Sequence, residues 1–281
     1  MKLDDAKGLA LMANSMRQDV VRMLLPAASG HFAGPLGMAD VFSVLFFHEM
    51  SYRASEPSWE GRDRFVLSNG HICPILYSAM ARAGFFPVDE LLTLRKLGSR
   101  LQGHPSRAKL PGIETSSGPL GEGLSIACGM ALAGKMDGRA WRVYCAMSDG
   151  EHQEGSTWEA VMLAAKYKLD NLVAVCDRNF IQIDGRTEDV MPLGDLAEKY
   201  RAFGWHAIEA DGHDYAAIMR ALDEARETKG KPTMIIARTV PGKGVSFAEN
   251  NYKWHGVAPK QEEADKALSE LEAARAKIEA E

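Results

Sequence analysis

The chain predicts an α/β fold, a mostly parallel sheet with helices on both faces, and three observations carry that prediction. Short β-rich runs alternate with stretches of helical periodicity, the pattern of βαβ crossovers. Residues 151–178, which separate Gly150 from Asn179, are enough for one helix and one strand, so two polar strand ends return to the same edge of a sheet. No internal repeat or low-complexity linker interrupts the 281 residues, so residues 1–281 read as one domain.

Taken in order, helical periodicity covers Leu3 to Leu25, Met38 to Met50, Ile75 to Ala83 and Val88 to Leu97. Strands are expected at Phe65–Leu67, Arg142–Met147, Leu172–Cys176, Trp205–Glu209 and Thr233–Ala237. The Gly/Pro-rich segment from Gly103 to Gly123 reads as a structured active-site loop. It precedes the helix-compatible run Leu124 to Leu132, with Pro119 suited to a first helical turn. A further helix is expected around Trp158 to Tyr167. The stretch 260–281, with only Leu268, Leu271 and Ile278 as an apolar stripe, reads as a surface or partner-facing helix. Ligands of such folds bind beyond the carboxyl ends of the strands.

Bulk properties narrow the function. A hydrophobic content of 46% is ordinary for a soluble globular protein, and a formal charge of −5 from interspersed residues gives no footprint for nucleic acid or an anionic membrane. Asp4 and Asp5 stand where an export signal needs basic residues, and Val41–Phe47 is too short to span a bilayer. Cys73, Cys128, Cys145 and Cys176 form no CxxC pair, which argues against a zinc knuckle or disulfide scaffold and for a cytoplasmic location.

The densest chemistry follows the expected strand Arg142–Met147, where Ser148-Asp149-Gly150 leads into a helix; the next strand runs out through Asp177-Arg178-Asn179-Phe180-Ile181. A hard cation such as Mg²⁺ takes oxygen ligands and commonly shares them with a phosphate, and Asp149 and Asn179 supply two. Ca²⁺ and Mn²⁺ suit the same donors. Of eight histidines, His31, His71, His104 and His255 lie in Gly-His or His-Gly loops, while His48, His152, His206 and His213 read as exposed polar residues.

From His31 to His255 the chain resembles the N-terminal, diphosphate-binding region of transketolase. The matching segments, in the family's order, are Ser29-Gly30-His31, Gly37 to Asp40, Asp63 to His71, Gly103-His104-Pro105, Glu114-Thr115, Gly118 to Gly121, Ser148 to Gly155, Asn179 to Gly185 and His255-Gly256. The resemblance implies a thiamine-diphosphate-binding fold, thiamine diphosphate as cofactor, and Mg²⁺ held by Asp149, Asn179 and the backbone carbonyl of Ile181. It also implies cofactor contacts from Gly118, Leu120, the Gly150 amide, Ile183 and Val240. Without it, Ile183 and Val240 would read as core packing. His31, His104 and His255 are implied to line a substrate channel, with His71 and His255 near the diphosphate. Glu154 matches a glutamate at the family's subunit interface, where the resemblance counts it with the residues of the cofactor site.

The expected reaction is ketol transfer from a ketose, phosphorylated or otherwise, to an aldose. Two departures stand out: Ser148 replaces the first Gly of a Gly-Asp-Gly, and Phe32 replaces a Pro, placing an aromatic beside a substrate-facing histidine. Transketolases continue into pyrimidine-binding and C-terminal domains, so the expectation is a separate subunit carrying both, in an α₂β₂ assembly. The alternatives are the α chain of a 2-oxo acid dehydrogenase and a non-catalytic, cofactor-binding regulatory chain.

Overall fold

A computed structural model describes residues 2–280. In chain order its elements are α1 (Ala6–Ala27), α2 (Ala33–Gly37), α3 (Ala39–Val44), β1 (Arg64–Leu67), α4 (Cys73–Arg82), α5 (Gly123–Met136) and β2 (Val143–Ser148). They continue with α6 (Gly155–Lys166), β3 (Leu172–Arg178), a hairpin of β4 (Ile181–Gln182) and β5 (Gly185–Arg186), α7 (Thr187–Val190) and α8 (Leu196–Ala202). Last come β6 (His206–Asp211), α9 (Tyr215–Glu227), β7 (Thr233–Arg238) and α10 (Gln261–Ala280).

β1, β2, β3, β7 and β6 lie side by side in that order, and every neighbouring pair is parallel. Alternate residues of each strand feed separate cores, because successive side chains point to opposite faces. Tyr144, Ala146, Val173, Val175 and Ile235 join α1, α3, α4 and α9 on one face. Val143, Cys145, Met147, Ala174, Cys176 and Ile236 join α5, α6 and α8 on the other. Both faces are thus covered, as a parallel sheet requires.

The five expected strands are present within two residues at each end. Three helical expectations change. Met38 to Met50 is helical, but its second half, Leu45–Glu49, is a π-helical turn. Val88 to Leu97 forms only a 3₁₀ segment, Val88–Thr93; Arg95 then takes a left-handed φ of 60° and its N–H turns back to the carbonyl of Leu101. Pro119 lies four residues before α5 rather than in its first turn.

α10 is anchored rather than free: Ala264, Ala267 and Leu271 are buried against α1, and the Asn14 side chain donates to the Leu271 carbonyl at 2.9 Å. Small residues allow that close approach, so the buried stripe is largely alanine and not the Leu/Ile line read from the sequence. Among the described residues no helix is long and apolar enough to cross a membrane.

Candidate active site

The carboxyl edge of the sheet gathers the polar residues. β1 ends at Ser68-Asn69-Gly70-His71, β2 at Ser148-Asp149, β3 at Arg178-Asn179 and β7 at Arg238-Thr239-Val240. Over this edge four imidazoles converge. The His31 ring centroid is 4.8 Å from that of His71, 5.4 Å from His255 and 6.5 Å from His104, and His71 and His255 are 5.3 Å apart.

Each arrives by its own local device. His31 follows α1, whose end is capped by Ala28 in a left-handed conformation. His71 sits in a 3₁₀ turn at the end of β1, where Gly70 admits the neighbouring loop: a Cβ there would lie 2.6 Å from Ser117 Oγ and 3.1 Å from Gly118 N. Gly118 in turn faces the His104 ring. His255 follows the 3₁₀ turn Tyr252–Trp254, and its carbonyl accepts the Phe32 N–H at 3.3 Å.

Burial keeps these imidazoles neutral. It lowers the proton affinity of all four, with the neighbouring histidines adding to the effect at His31 and His71 and Arg95 adding to it at His104; His31 falls to about 4. A neutral imidazole has one donor and one acceptor nitrogen. His31 Nδ1, His255 Nδ1, both side-chain polar atoms of Asn69 and Ser117 Oγ are buried without a hydrogen-bond partner among the described residues. Buried polar groups are nearly always paired, so this concentration calls for a polar ligand.

Deeper on the edge, Asp149 is fully buried. Its Oδ1 accepts the Gly150 N–H at 2.7 Å, and its Oδ2 accepts from Phe180 N at 2.8 Å, Arg178 Nη1 at 3.2 Å and the Thr187 hydroxyl at 3.3 Å. Asn179 lies beside it, its Oδ1 accepting the Ile181 N–H at 3.0 Å and its Nδ2 donating to Asp177 Oδ2 at 2.7 Å. Burial pushes Asp177 up to about 7, although hydrogen bonds from Thr239 and Asn179 oppose the shift. Burial also raises Asp149, against the pull of Arg178.

The Asp149 carboxylate and the Asn179 amide oxygen therefore occupy one strand-end corner, with the Ile181 backbone held against Asn179 through its N–H, and oxygen donors of this kind suit a hard cation. Among the described residues no group of three or more His, Cys, Asp or Glu gathers as a metal site, here or elsewhere. The Gly150 amide, expected to face a diphosphate, is engaged here by Asp149.

Other expectations shift. Ile183 is 65% exposed and Val240 only partly buried, so neither is core. A methyl on Gly256 would touch both Ile183 and His31, which sets Ile183 at the rim of the histidine cluster. Leu120 is half-buried in the glycine loop, and Glu154 is exposed at the start of α6.

The Phe32 ring does not face the histidines; it is fully buried and packs on Phe247 and Trp254, at centroid distances of 6.3 and 5.7 Å. Apolar area leaves water in preference to lining a polar channel. Nor are His48, His152, His206 and His213 exposed; His48 and His206 are half-buried, with His48 Nδ1 3.1 Å from the Leu3 carbonyl and His206 Nε2 2.7 Å from Glu224 Oε1. His152 is buried, with Nδ1 2.9 Å from the Ser148 carbonyl and Nε2 2.9 Å from the Tyr200 hydroxyl. His213 Nδ1 lies 2.7 Å from Asp40 Oδ2, and its Nε2 accepts the Val240 N–H at 2.8 Å.

Sequence reasoning missed three organising residues. Glu151 is buried and accepts from the Ser68 hydroxyl, Gly121 N at 2.9 Å and Ser148 N at 3.1 Å, tying two strand ends to the glycine loop. Arg178 and Asp177 read in sequence as no more than flanks of Asn179. Their shared signal is charge at the end of a wholly buried strand.

Comparison with known proteins agrees with this geometry. The family described as the transketolase thiamine diphosphate-binding domain matches residues 9–277. A protein named as a 6-deoxy-6-sulfo-D-fructose transketolase subunit, from Clostridium sp. (strain MSTE9), is 41% identical over 92% of this chain and 94% of its own length. One named as an apulose-4-phosphate transketolase subunit, from Phocaeicola vulgatus, is 40% identical over 97% of both. Human transketolase is 43% identical over 92% of this chain but only 41% of its own length. The crystal structure of Pichia stipitis transketolase with sedoheptulose 7-phosphate superposes with a TM-score of 0.88 at 31% identity, covering 98% of this chain and 45% of that one. The chain thus spans less than half of these longer transketolases and nearly all of the proteins named as subunits. It belongs to the transketolase family, and corresponds to the thiamine-diphosphate-binding, N-terminal subunit of that enzyme.

Proposed function

We propose that the chain is the diphosphate-binding half of a two-chain transketolase that moves a two-carbon ketol unit from an anionic ketose to an aldose. The observation that carries this reading is the convergence of four imidazoles and partnerless polar atoms on the same carboxyl edge of the sheet that carries Asp149, Asn179 and Ile181.

Thiamine diphosphate, when bound, supplies the carbon nucleophile and the electron sink. The chain's own residues hold and orient. Asp149 Oδ1, Asn179 Oδ1 and the Ile181 carbonyl are assigned to Mg²⁺, whose charge offsets the diphosphate. Gly118, Leu120, Ile183 and Val240 are assigned to the cofactor's rings, His71 to its diphosphate, and His255 to both diphosphate and substrate. His31 and His104 hold substrate hydroxyls, and as neutral imidazoles they accept at one nitrogen and donate at the other, which moves a proton without building charge. Arg95, exposed at the mouth, with its side chain donating to Ser29 Oγ and the Gly103 carbonyl, suits the anionic end of the sugar. Phosphorylated and sulfonated ketoses are the substrate classes in the names of the two shorter relatives.

Exposed Ile183 and Glu154 leave the cofactor side of the site open for a partner subunit that brings pyrimidine-binding and C-terminal domains, in an α₂β₂ assembly. Four buried free thiols suit the cytoplasm. The test mixes purified chain, thiamine diphosphate, Mg²⁺ and a ketose–aldose panel, with and without the candidate partner. Transfer only with the partner is expected. Robust transfer by the chain alone refutes the two-chain reading, and turnover of 2-oxo acids in place of sugars refutes the reaction class.

A further inference from the structure

Arg178 closes β3 with its side chain only 7% exposed, held between two carboxylates. Nη1 lies 3.2 Å from Asp149 Oδ2, Nη2 lies 2.6 Å from Glu188 Oε1, and the guanidinium carbon stands 4.1 Å from the Phe180 ring centre. A planar fork that bridges two acids while covering an aromatic face is work for Arg and not for Lys.

The two carboxylates are used differently. A carboxylate has about four lone-pair sites, roughly two on each oxygen. Asp149 Oδ2 already accepts from Phe180 N, the Thr187 hydroxyl and Arg178, so it is filled; Oδ1 accepts only the Gly150 N–H and keeps room for one more partner. Glu188 reaches the other way and accepts the N–H groups of Leu193 and Gly194 at 3.2 and 3.3 Å. One guanidinium therefore links the buried carboxylate to the segment 187–194, which directly follows the hairpin carrying Ile181 and Ile183.

We propose that Arg178 is a positioning residue that pre-organises the cation–diphosphate site, holding Asp149 Oδ2 so that Oδ1 alone meets the cation, and pinning segment 187–194 through Glu188. This rests on the assignment of Asp149 as a cation ligand. The charge also has a sign. A guanidinium beside Asp149 opposes a bare divalent cation and favours a cation already paired with the trianionic end of a diphosphate. Arg178 thereby biases the site toward the pair over the ion alone.

The test uses the full chain and the variants Arg178→Met, Arg178→Lys and Glu188→Gln. Free Mn²⁺ is followed by electron paramagnetic resonance with and without thiamine diphosphate, and amide exchange over 180–194 is followed in cofactor-free protein. Arg178→Met is expected to weaken thiamine diphosphate binding at saturating Mn²⁺ by about tenfold or more, the scale of losing an outer partner of a metal ligand. It is expected to leave Mn²⁺ alone bound at least as well, and to speed exchange across 180–194. Arg178→Lys recovers part of the binding, because the charge returns without the fork. Glu188→Gln speeds exchange mainly in 187–194.

Native affinity together with native exchange in Arg178→Met overturns the proposal, as does an equal loss of Mn²⁺ alone and with cofactor, which marks a purely structural role. A native chain that binds no thiamine diphosphate with Mn²⁺, either alone or with the candidate partner subunit, overturns instead the ligand assignment and the binding half of the proposal; the exchange measurement then decides the clamp by itself.

Discussion

Imidazoles that stay neutral when buried make stability depend on pH. His152 and His31 are held at about 4, below the ordinary 6.5, with burial the largest cause. Between those values the unfolded chain takes up a proton that the folded chain refuses, so their stabilising contribution is full above about pH 6.5 and lost as pH falls toward about 4. Asp177, raised to about 7, acts in the opposite sense: the folded chain takes its proton first, and stability is gained as pH falls from 7. A variant must therefore be compared with its parent. His152→Gln is expected to flatten the acid-side fall of the thermal midpoint between pH 6.5 and 4, and parallel curves for the two proteins would contradict the assignment. Two substitutions probe the site itself. Asp149→Ala removes the one carboxylate assigned to the cation and is expected to abolish metal-dependent thiamine diphosphate binding while the fold persists, as titration calorimetry and circular dichroism would show. His104→Ala, at the rim of the cluster, is expected to lower kcat by about 10²-fold or more with little change in cofactor affinity, because general acid–base and hydroxyl contacts act mainly in the transition state; normal turnover would place His104 outside the reacting centre. His31, His104 and His255 could be picked out because Gly-His loops are visible in the sequence. The burial of His152 and the inward turn of Phe32 could not, since both depend on what the rest of the chain packs there.

At the scale of elements, packing between helices and strand ends decides where the site residues stand. Gly123 opens α5 against the end of β1, and a Cβ there would meet Ser68 Cβ at 2.4 Å and Ser68 Cα at 2.6 Å. Backbone cannot move aside as a side chain can, so Gly123→Ala is expected to destabilise by roughly 1–3 kcal/mol and to disturb the Ser68–Glu151 link. Urea unfolding would measure the first effect and cofactor affinity the second. α10 is held by a small buried face, and Leu271, 1% exposed, is its largest buried side chain. Leu271→Ala is expected to cost about 2–4 kcal/mol, the range for a cavity-forming Leu substitution, with amide protection lost first in α10; an unchanged unfolding midpoint would mean that the helix contributes nothing. Periodicity correctly announced α1 and α4, whose apolar faces recur at helical spacing. It overextended at Val88–Leu97, where Leu91 and Leu94 are buried but Leu97 is fully exposed. The apolar spacing there is real, but the left-handed Arg95 turn and the Arg100–Glu90 pair at 2.6 Å favour a compact loop over another helical turn.

For the whole molecule, the parallel sheet is a device for delivering distant residues to one edge. His31, His71, His104 and His255 come from four separate loops, and Asp149 and Asn179 from adjacent strands β2 and β3. The sequence by itself determined the class of fold, because alternating strand and helix patterns on a chain of this length leave few arrangements other than a covered parallel sheet. It determined the strand positions, and the spacing of one helix plus one strand between Gly150 and Asn179 was enough to bring those two candidate residues to one edge. Only the tertiary structure decided the order β1-β2-β3-β7-β6, the two separate cores, and which charged residues turn inward. Glu151, Asp177, Arg178 and His152 look in sequence like the solvated neighbours of a motif, yet all four are buried. The physical reason is that burying a polar group is governed by the partners waiting for it, the Ser68 hydroxyl, Thr239, Glu188 and the Tyr200 hydroxyl, and those partners are brought from 10 to 83 positions away only when the sheet has closed.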